Sequence, residues 1–111
     1  MADTVGLATP AQVSSILNKF IPQFAHIEIG VHLHTTETNR RQKIDAALQA
    51  GCKRFDGALK GIGGCPMSND ELVGNINTEF MIPYFEEKDL LHSINKYALQ
   101  HAMNMANKIF I

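Results

Sequence analysis

The sequence lacks a large excess of charge and any long apolar run. Its 111 residues carry a formal net charge of -1, so no broad positive field attracts nucleic acid or an anionic membrane surface. No apolar run approaches the roughly 18 residues that a transmembrane helix needs, and no signal-peptide pattern opens the chain. We therefore expect neither nucleic acid nor a membrane as a partner, and a cytoplasmic location.

Cysteine is scarce as well. Two cysteines, Cys52 and Cys65, are too few for a disulfide framework, and we expect both thiols to be reduced. Cys52 opens a predicted strand and is expected to pack as a small buried hydrophobe. What the chain does have is a hydrophobic content of 45%, which is ordinary for a globular domain with a modest core.

Hydrophobic patterning predicts strands separated by helices. Strict alternation over residues 26–34 is typical of a strand, a short strand is predicted over 52–59, and the end of another is predicted near Asp3. Strands separated by helices pair in parallel through right-handed crossovers. The pattern fits an open three-layer sheet and a piece of a (βα)8 barrel equally well.

Helix signals lie between and after these strands. Thr9 and Gln12 form a predicted capping box around Pro10, and Pro22 predicts an end soon after Phe20. The predicted helices cover residues 10–20, 39–50 and 78–87, with a last helix that begins at Asp89.

Two histidines on the second predicted strand are candidate metal ligands. His32 and His34 are two residues apart, so their side chains point to the same side of the sheet. They lie at the carboxyl end of the strand, where chemistry in βα barrels is usually located. Two neutral imidazoles suit a divalent cation; the alternative is two polar residues that face a hydrated cleft.

A glycine-rich loop surrounds the second cysteine. Four of the eight glycines fall within residues 57–64, and Cys65 is followed by Pro66, so little side-chain cover surrounds the thiol. Such a thiol can reach a substrate as part of a lid. The alternative is a tight strand-to-helix connection in which the thiol merely packs.

Together these segments resemble a known family. "HLHTTETN", "GALKGIGGCP" and "GNINTE" occur in this order and look like the C-terminal part of 3-hydroxy-3-methylglutaryl-CoA (HMG-CoA) lyase, a metal-dependent barrel enzyme. "ADTVGLATP" at the start is similar to a barrel strand end and helix cap of the same family. The GxGGCP motif is the specific element, because the related synthases share the HxH strand but lack the cysteine loop.

The resemblance implies an α/β fold. We expect the C-terminal portion of a (β/α)8 TIM barrel, with about three parallel strands, flanking helices and a C-terminal helix. The expected division is 1–88 for the barrel part and 89–111 for the C-terminal helix.

The resemblance also implies a reaction and its residues. The expected reaction is a metal-dependent retro-Claisen cleavage of HMG-CoA to acetyl-CoA and acetoacetate, in leucine degradation. The cation is expected to be Mg²⁺ or Mn²⁺ and the partner an acyl-CoA substrate. The implied residues are His32, His34 and Asn75 as metal ligands, Cys65 and Asp3 as catalytic groups, and Gly61, Gly63 and Gly64 in the mobile loop.

Two departures qualify these expectations. Thr35 and Thr38 stand where family members often have an acidic or small polar residue and a glycine, and we expect this change to alter how the metal ligands are supported. A closed barrel takes about 250 residues, so we expect part of a lyase that is inactive alone and that forms a homo-oligomer or associates through exposed sheet edges. The alternatives are action on another 3-hydroxyacyl-CoA, or a non-catalytic role in assembly.

Overall fold

A computed structural model describes residues 1–63 and 73–110 of the chain. It has an α/β architecture in which helices alternate with short strands. The elements in chain order are β1 (Ala2–Asp3), α1 (Pro10–Gln23), β2 (Gly30–Thr35), α2 (Arg40–Gln49), β3 (Arg54–Asp56), a 3-10 turn (Leu59–Gly61), β4 (Gly74–Asn75), α3 (Thr78–Glu87) and α4 (Lys96–Ile109).

The first three strands form a parallel sheet in the order β1-β2-β3. Consecutive strands are neighbours, joined through α1 and α2, which is the βαβ arrangement that the alternation predicted. β2 begins at Gly30 and not at His26, because pairing starts where Gly30 meets Arg54 of β3. Ile27, ahead of this point, is 55% exposed.

The capping box at the start of α1 is confirmed. The Gln12 amide N–H donates to Thr9 Oγ1 over 3.1 Å, and the Thr9 amide N–H donates to Gln12 Oε1 over 2.9 Å. The predicted end after Phe20 was early, because the helix continues through Pro22 to Gln23. A proline removes a single hydrogen bond, and here it does so in the last turn of the helix.

The core lies between the sheet and its helices. Val31 and Leu33 of β2 point into it, while His32 and His34 alternate to the other side of the strand. Cys52 is 1% exposed, as expected of a small buried hydrophobe. The buried cluster comprises Val13, Leu17, Val31, Leu33, Ile44, Ala47, Cys52, Ile76, Met81 and Tyr84.

A fourth strand was not predicted. β4 pairs antiparallel with β2, with Asn75 opposite His34 and Gly74 opposite Thr35. Two residues are too few for an alternating pattern, so periodicity predicts no strand here. The consequence is functional, because this pairing brings Asn75 beside the second histidine.

Of the two C-terminal helices, α3 has the predicted bounds and α4 does not. α3 covers residues 78–87 as predicted, with Pro83 inside it and its start unchanged. The last helix begins at Lys96 and not at Asp89, since the Asn95 side chain caps it by accepting from the Ala98 amide N–H. Asp89 has a φ of 57°, outside helical geometry, and residues 89–95 connect the two helices. The division of the chain at residue 88 stays a prediction.

Among residues 1–63 and 73–110, no helix is both long and apolar enough to cross a membrane.

Candidate metal centre

His32 and His34 lie side by side at the carboxyl half of β2. Their ring centroids are 5.1 Å apart and the ring planes meet at 81°. His34 is buried, with 7% of its surface exposed, and His32 is half-buried. The prediction that both imidazoles point to the same side of the strand is confirmed.

A backbone contact sets the tautomer of His34. Its Nδ1 lies 2.7 Å from the carbonyl oxygen of Asp3. A carbonyl only accepts hydrogen bonds, so in the neutral ring Nδ1 carries the proton. Nε2 then keeps its lone pair and is free to bind a cation, as metal-binding histidines typically do.

Asn75 supplies a third donor atom beside the histidines. Its Nδ2 donates to the Ile62 carbonyl over 2.8 Å, which fixes the orientation of the amide. Its Oδ1 is buried and has no hydrogen-bond partner among the residues that the structure describes. A buried acceptor without a partner is costly, and an amide oxygen is a ligand that hard divalent cations accept.

These donors fit a divalent cation. Two imidazole nitrogens and one amide oxygen suit Mn²⁺ well and Mg²⁺ less well. Within the described part of the chain, no three His, Cys, Asp or Glu side chains cluster in a way that could hold a metal ion. Asn75 Oδ1 is the third donor that the described residues place beside the two imidazoles.

The glycine loop packs against Asn75. Gly61 and Gly63 have φ values of 63° and 93°, which favour glycine. A Cβ atom on Gly61 would lie 2.7 Å from the Asn75 carbonyl oxygen, and one on Gly63 would lie 2.9 Å from Asn75 Nδ2. The predicted loop residues Gly64 and Cys65 lie outside the described residues.

Glu79 holds the start of this loop, and sequence reasoning missed it. Both of its carboxylate oxygens accept from the Lys60 amide N–H, over 2.9 and 3.0 Å. Lys60 has a φ of 61°, a left-handed conformation that costs free energy in a residue with a side chain. The position of Glu79 in the first turn of α3 suggests a favourable interaction with the helix dipole, but nothing in the sequence pointed to Lys60.

Asp3 contacts His34 through its carbonyl oxygen and is buried, with 7% of its surface exposed. Its Oδ2 accepts from Lys43 Nζ over 2.7 Å, and its Oδ1 accepts from the Ala8 amide N–H over 3.2 Å. Both carboxylate oxygens are thus engaged by the protein. Its predicted action on the substrate stays a prediction.

Lys43 is the second residue that sequence reasoning missed. It is 1% exposed, although it lies in the polar first half of α2. A signal was present: Lys43 precedes the buried Ala47 by four residues, so it falls on the inward face of the helix.

Comparison with known proteins identifies the family. The profile of the HMGL-like family matches residues 1–106. The chain belongs to the HMGL-like family. It is 38% identical over 85 residues to the (R)-citramalyl-CoA lyase of Chloroflexus aurantiacus, covering 77% of this chain and 26% of that protein. It is 36% identical over 90 residues to a hydroxymethylglutaryl-CoA lyase of Bacillus subtilis, covering 81% of this chain and 30% of that protein.

Solved structures of HMG-CoA lyases share the fold. The Bacillus subtilis enzyme superposes with a TM-score of 0.81 at 32% identity, covering 96% of this chain and 36% of that one. An Acinetobacter baumannii HMG-CoA lyase, solved with coenzyme A and 3-methylmalate, gives a TM-score of 0.76 at 36% identity, covering 88% of this chain and 32% of that one. The expected α/β fold, a portion of the lyase barrel, is confirmed. The chain spans between about a quarter and about a third of the length of these relatives.

Proposed function

We propose that this chain provides the metal-binding side of the active site of a carbon–carbon lyase that cleaves HMG-CoA to acetyl-CoA and acetoacetate. The observation that carries the proposal is the buried, unpartnered Oδ1 of Asn75 beside two imidazoles that point the same way. Membership of the HMGL-like family supports the reaction class. An acyl-CoA thioester is the proposed substrate class, and cytoplasmic localisation stays a prediction.

His32, His34 and Asn75 would hold Mg²⁺ or Mn²⁺ through two ring nitrogens and the amide oxygen. The bound cation would polarise the C3 hydroxyl of the substrate and lower its pKa. The hydrogen bond from His34 Nδ1 to Asp3, and that from Asn75 Nδ2 to Ile62, orient these two donors before any ligand arrives. Preorganised donors need no rearrangement during the reaction.

The proposed cleavage needs two proton transfers. The C3 hydroxyl loses its proton to a base, the C2–C3 bond breaks as the C3 carbonyl forms, and acetoacetate leaves. The electron pair of the broken bond stays on C2 of acetyl-CoA, which then accepts a proton. We propose that the thiol of Cys65 donates this proton. General acid catalysis requires the thiol to lie close to C2.

A specific observation favours a second substrate. The citramalyl-CoA lyase relative is 38% identical to this chain, and citramalyl-CoA is also a 3-hydroxyacyl-CoA thioester. We therefore keep this substrate as the second candidate function. A purely structural role in assembly is the third.

One chimera separates these candidates. We would replace the matching segment of the Bacillus subtilis lyase by residues 1–111 and assay cleavage of HMG-CoA and citramalyl-CoA with Mn²⁺. The proposal predicts preferential cleavage of HMG-CoA that falls on His34→Gln or Cys65→Ser substitution, with the unmodified lyase as control. Preference for citramalyl-CoA would favour the second candidate. A folded chimera that binds Mn²⁺ but cleaves neither thioester would favour the third.

We also propose that the outer edges of the sheet pair with additional strands. β1 and β3 each pair with β2 alone among the described strands, so their outer edges have free backbone groups. We propose that these edges pair with further barrel strands or with a second copy of the chain.

A further inference from the structure

We propose that Lys43 is a positioning residue of the metal centre, which holds His34 in the orientation and tautomer that leave Nε2 free to bind a cation. This inference rests on the proposed function, since it concerns the same site. It adds a residue from α2 to a site that is otherwise built from strands and the glycine loop.

The Lys43 ammonium group is fully occupied inside the protein. Nζ donates to Asp3 Oδ2 over 2.7 Å, to the Gly6 carbonyl over 3.0 Å and to the His34 carbonyl over 3.0 Å. An ammonium group has three N–H donors, and these three acceptors use all of them. The buried ammonium group of Lys43 thereby connects the carboxyl ends of β1 and β2.

Two of these acceptors belong to one turn. The Gly6 amide N–H donates to the Asp3 carbonyl over 3.2 Å, and Gly6 has a φ of 72°. Lys43 contacts this turn at both ends, through the Asp3 carboxylate and the Gly6 carbonyl. The Asp3 carbonyl in the same turn is the acceptor for His34 Nδ1. Lys43 therefore holds in place the Asp3 carbonyl oxygen, and this oxygen sets the tautomer of His34.

Stability alone does not account for this arrangement. A buried ion pair is often no more stable than apolar side chains of similar volume, because both charges lose their hydration. What the Lys43–Asp3 pair provides is a fixed geometry around His34. If Lys43 served only to neutralise Asp3, removing both charges together would leave His34 unchanged.

The test uses the full chain and two variants, Lys43→Met and Asp3→Asn/Lys43→Met, with the exposed Lys19→Met as matched control. Circular dichroism checks folding. Nitrogen-15 shifts of the histidine rings, recorded without metal, report the tautomer of His34 because a ring nitrogen that carries a proton differs in shift from one that does not. Electron paramagnetic resonance measures the Mn²⁺ dissociation constant.

We expect the wild-type chain and Lys19→Met to show a single tautomer of His34 with the proton on Nδ1. In the folded double variant we expect a mixture of tautomers and about 10- to 100-fold weaker Mn²⁺ binding, the range for residues that orient metal ligands.

Unchanged tautomer and affinity in the folded double variant would overturn the inference. Unfolding of both variants would overturn it too, since Lys43 would then serve the fold alone. A wild-type chain that binds no Mn²⁺, but whose His34 tautomer changes on substitution, would contradict the proposed function and leave the positioning role supported.

Discussion

The two sides of the metal centre are built by different means. The histidine side, defined by His34, Asp3 and Lys43, rests on parallel strands and a buried ion pair. The amide side, defined by Asn75, Gly61 and Gly63, rests on a two-residue strand and on backbone that leaves no room for a Cβ atom. The histidine side should therefore be sensitive to the removal of a charge, and the amide side to the addition of a methyl group.

The largest effect should come from Asp3→Ala on the histidine side. It leaves the Lys43 ammonium, 1% exposed, without its carboxylate, and losing one partner of a buried ion pair costs about 3–5 kcal/mol of stability. Urea unfolding followed by circular dichroism measures the loss.

The matched control is Asp56→Ala, whose side chain is 53% exposed. Surface substitutions usually change stability by about 0.5 kcal/mol or less. Equal losses for the two variants would show that the ion pair does not support the histidine side.

Gly61→Ala tests the amide side. A residue with a side chain in a left-handed conformation costs about 1–3 kcal/mol, and the new Cβ atom would also push against the Asn75 carbonyl, 2.7 Å away. We expect lower stability together with weaker Mn²⁺ binding, both measured on the purified chain.

Gly51→Ala is the control for that variant. Gly51 has a φ of 95°, but nothing lies within 4 Å of its added Cβ atom. The Gly51→Ala variant should be less stable than the wild type and should keep the wild-type affinity for Mn²⁺. If both alanine variants bind Mn²⁺ equally well, close packing of the loop does not position Asn75.

A smaller effect is expected from Glu79→Gln. The variant keeps an oxygen acceptor for the Lys60 amide N–H but loses the negative charge. We therefore expect a loss of about 1.5 kcal/mol, roughly the difference between a hydrogen bond to a charged group and one between neutral groups. Thermal unfolding compares it with Glu87→Gln, whose side chain is 67% exposed. Identical behaviour of the two variants would remove Glu79 from the account of the loop.

The smallest effect should come from Tyr84→Phe, which touches neither side of the site. Tyr84 donates a hydrogen bond to Asp45 between α3 and α2, and such a bond contributes about 1 kcal/mol. Chemical unfolding should show this loss near neutral pH, and Mn²⁺ affinity should not change. A weaker affinity would mean that the packing of α2 on α3 also shapes the site.

The Tyr84 contribution should depend on pH. Burial, and then the nearby Asp45 carboxylate, raise the pKa of Tyr84 above its ordinary value. The folded state therefore favours the neutral phenol, and this stability is fully present below the ordinary phenol pKa of about 10. It is lost as the pH rises toward the higher folded value, so the wild type and Tyr84→Phe should converge in stability in strongly alkaline solution.

The histidine side was largely predictable from the sequence, and the amide side was not. Alternation along β2 placed His32 and His34 on one side, because strand periodicity is a local property. Asn75 came only from family resemblance, since a two-residue strand has no periodicity to detect. Lys43 and Glu79 act through contacts with residues 40 and 19 positions away, and local patterns do not specify such contacts.

Titration with substoichiometric Mn²⁺, read out by line broadening of the histidine ring signals, shows whether His32, His34 and Asn75 form one cation site. The chain contains five histidines, and His26, His92 and His101 are exposed and serve as internal controls. We expect the signals of His32, His34 and the Asn75 side-chain amide to broaden first while the three control rings stay sharp. Uniform broadening of all five rings, or broadening of the control rings first, would contradict this expectation.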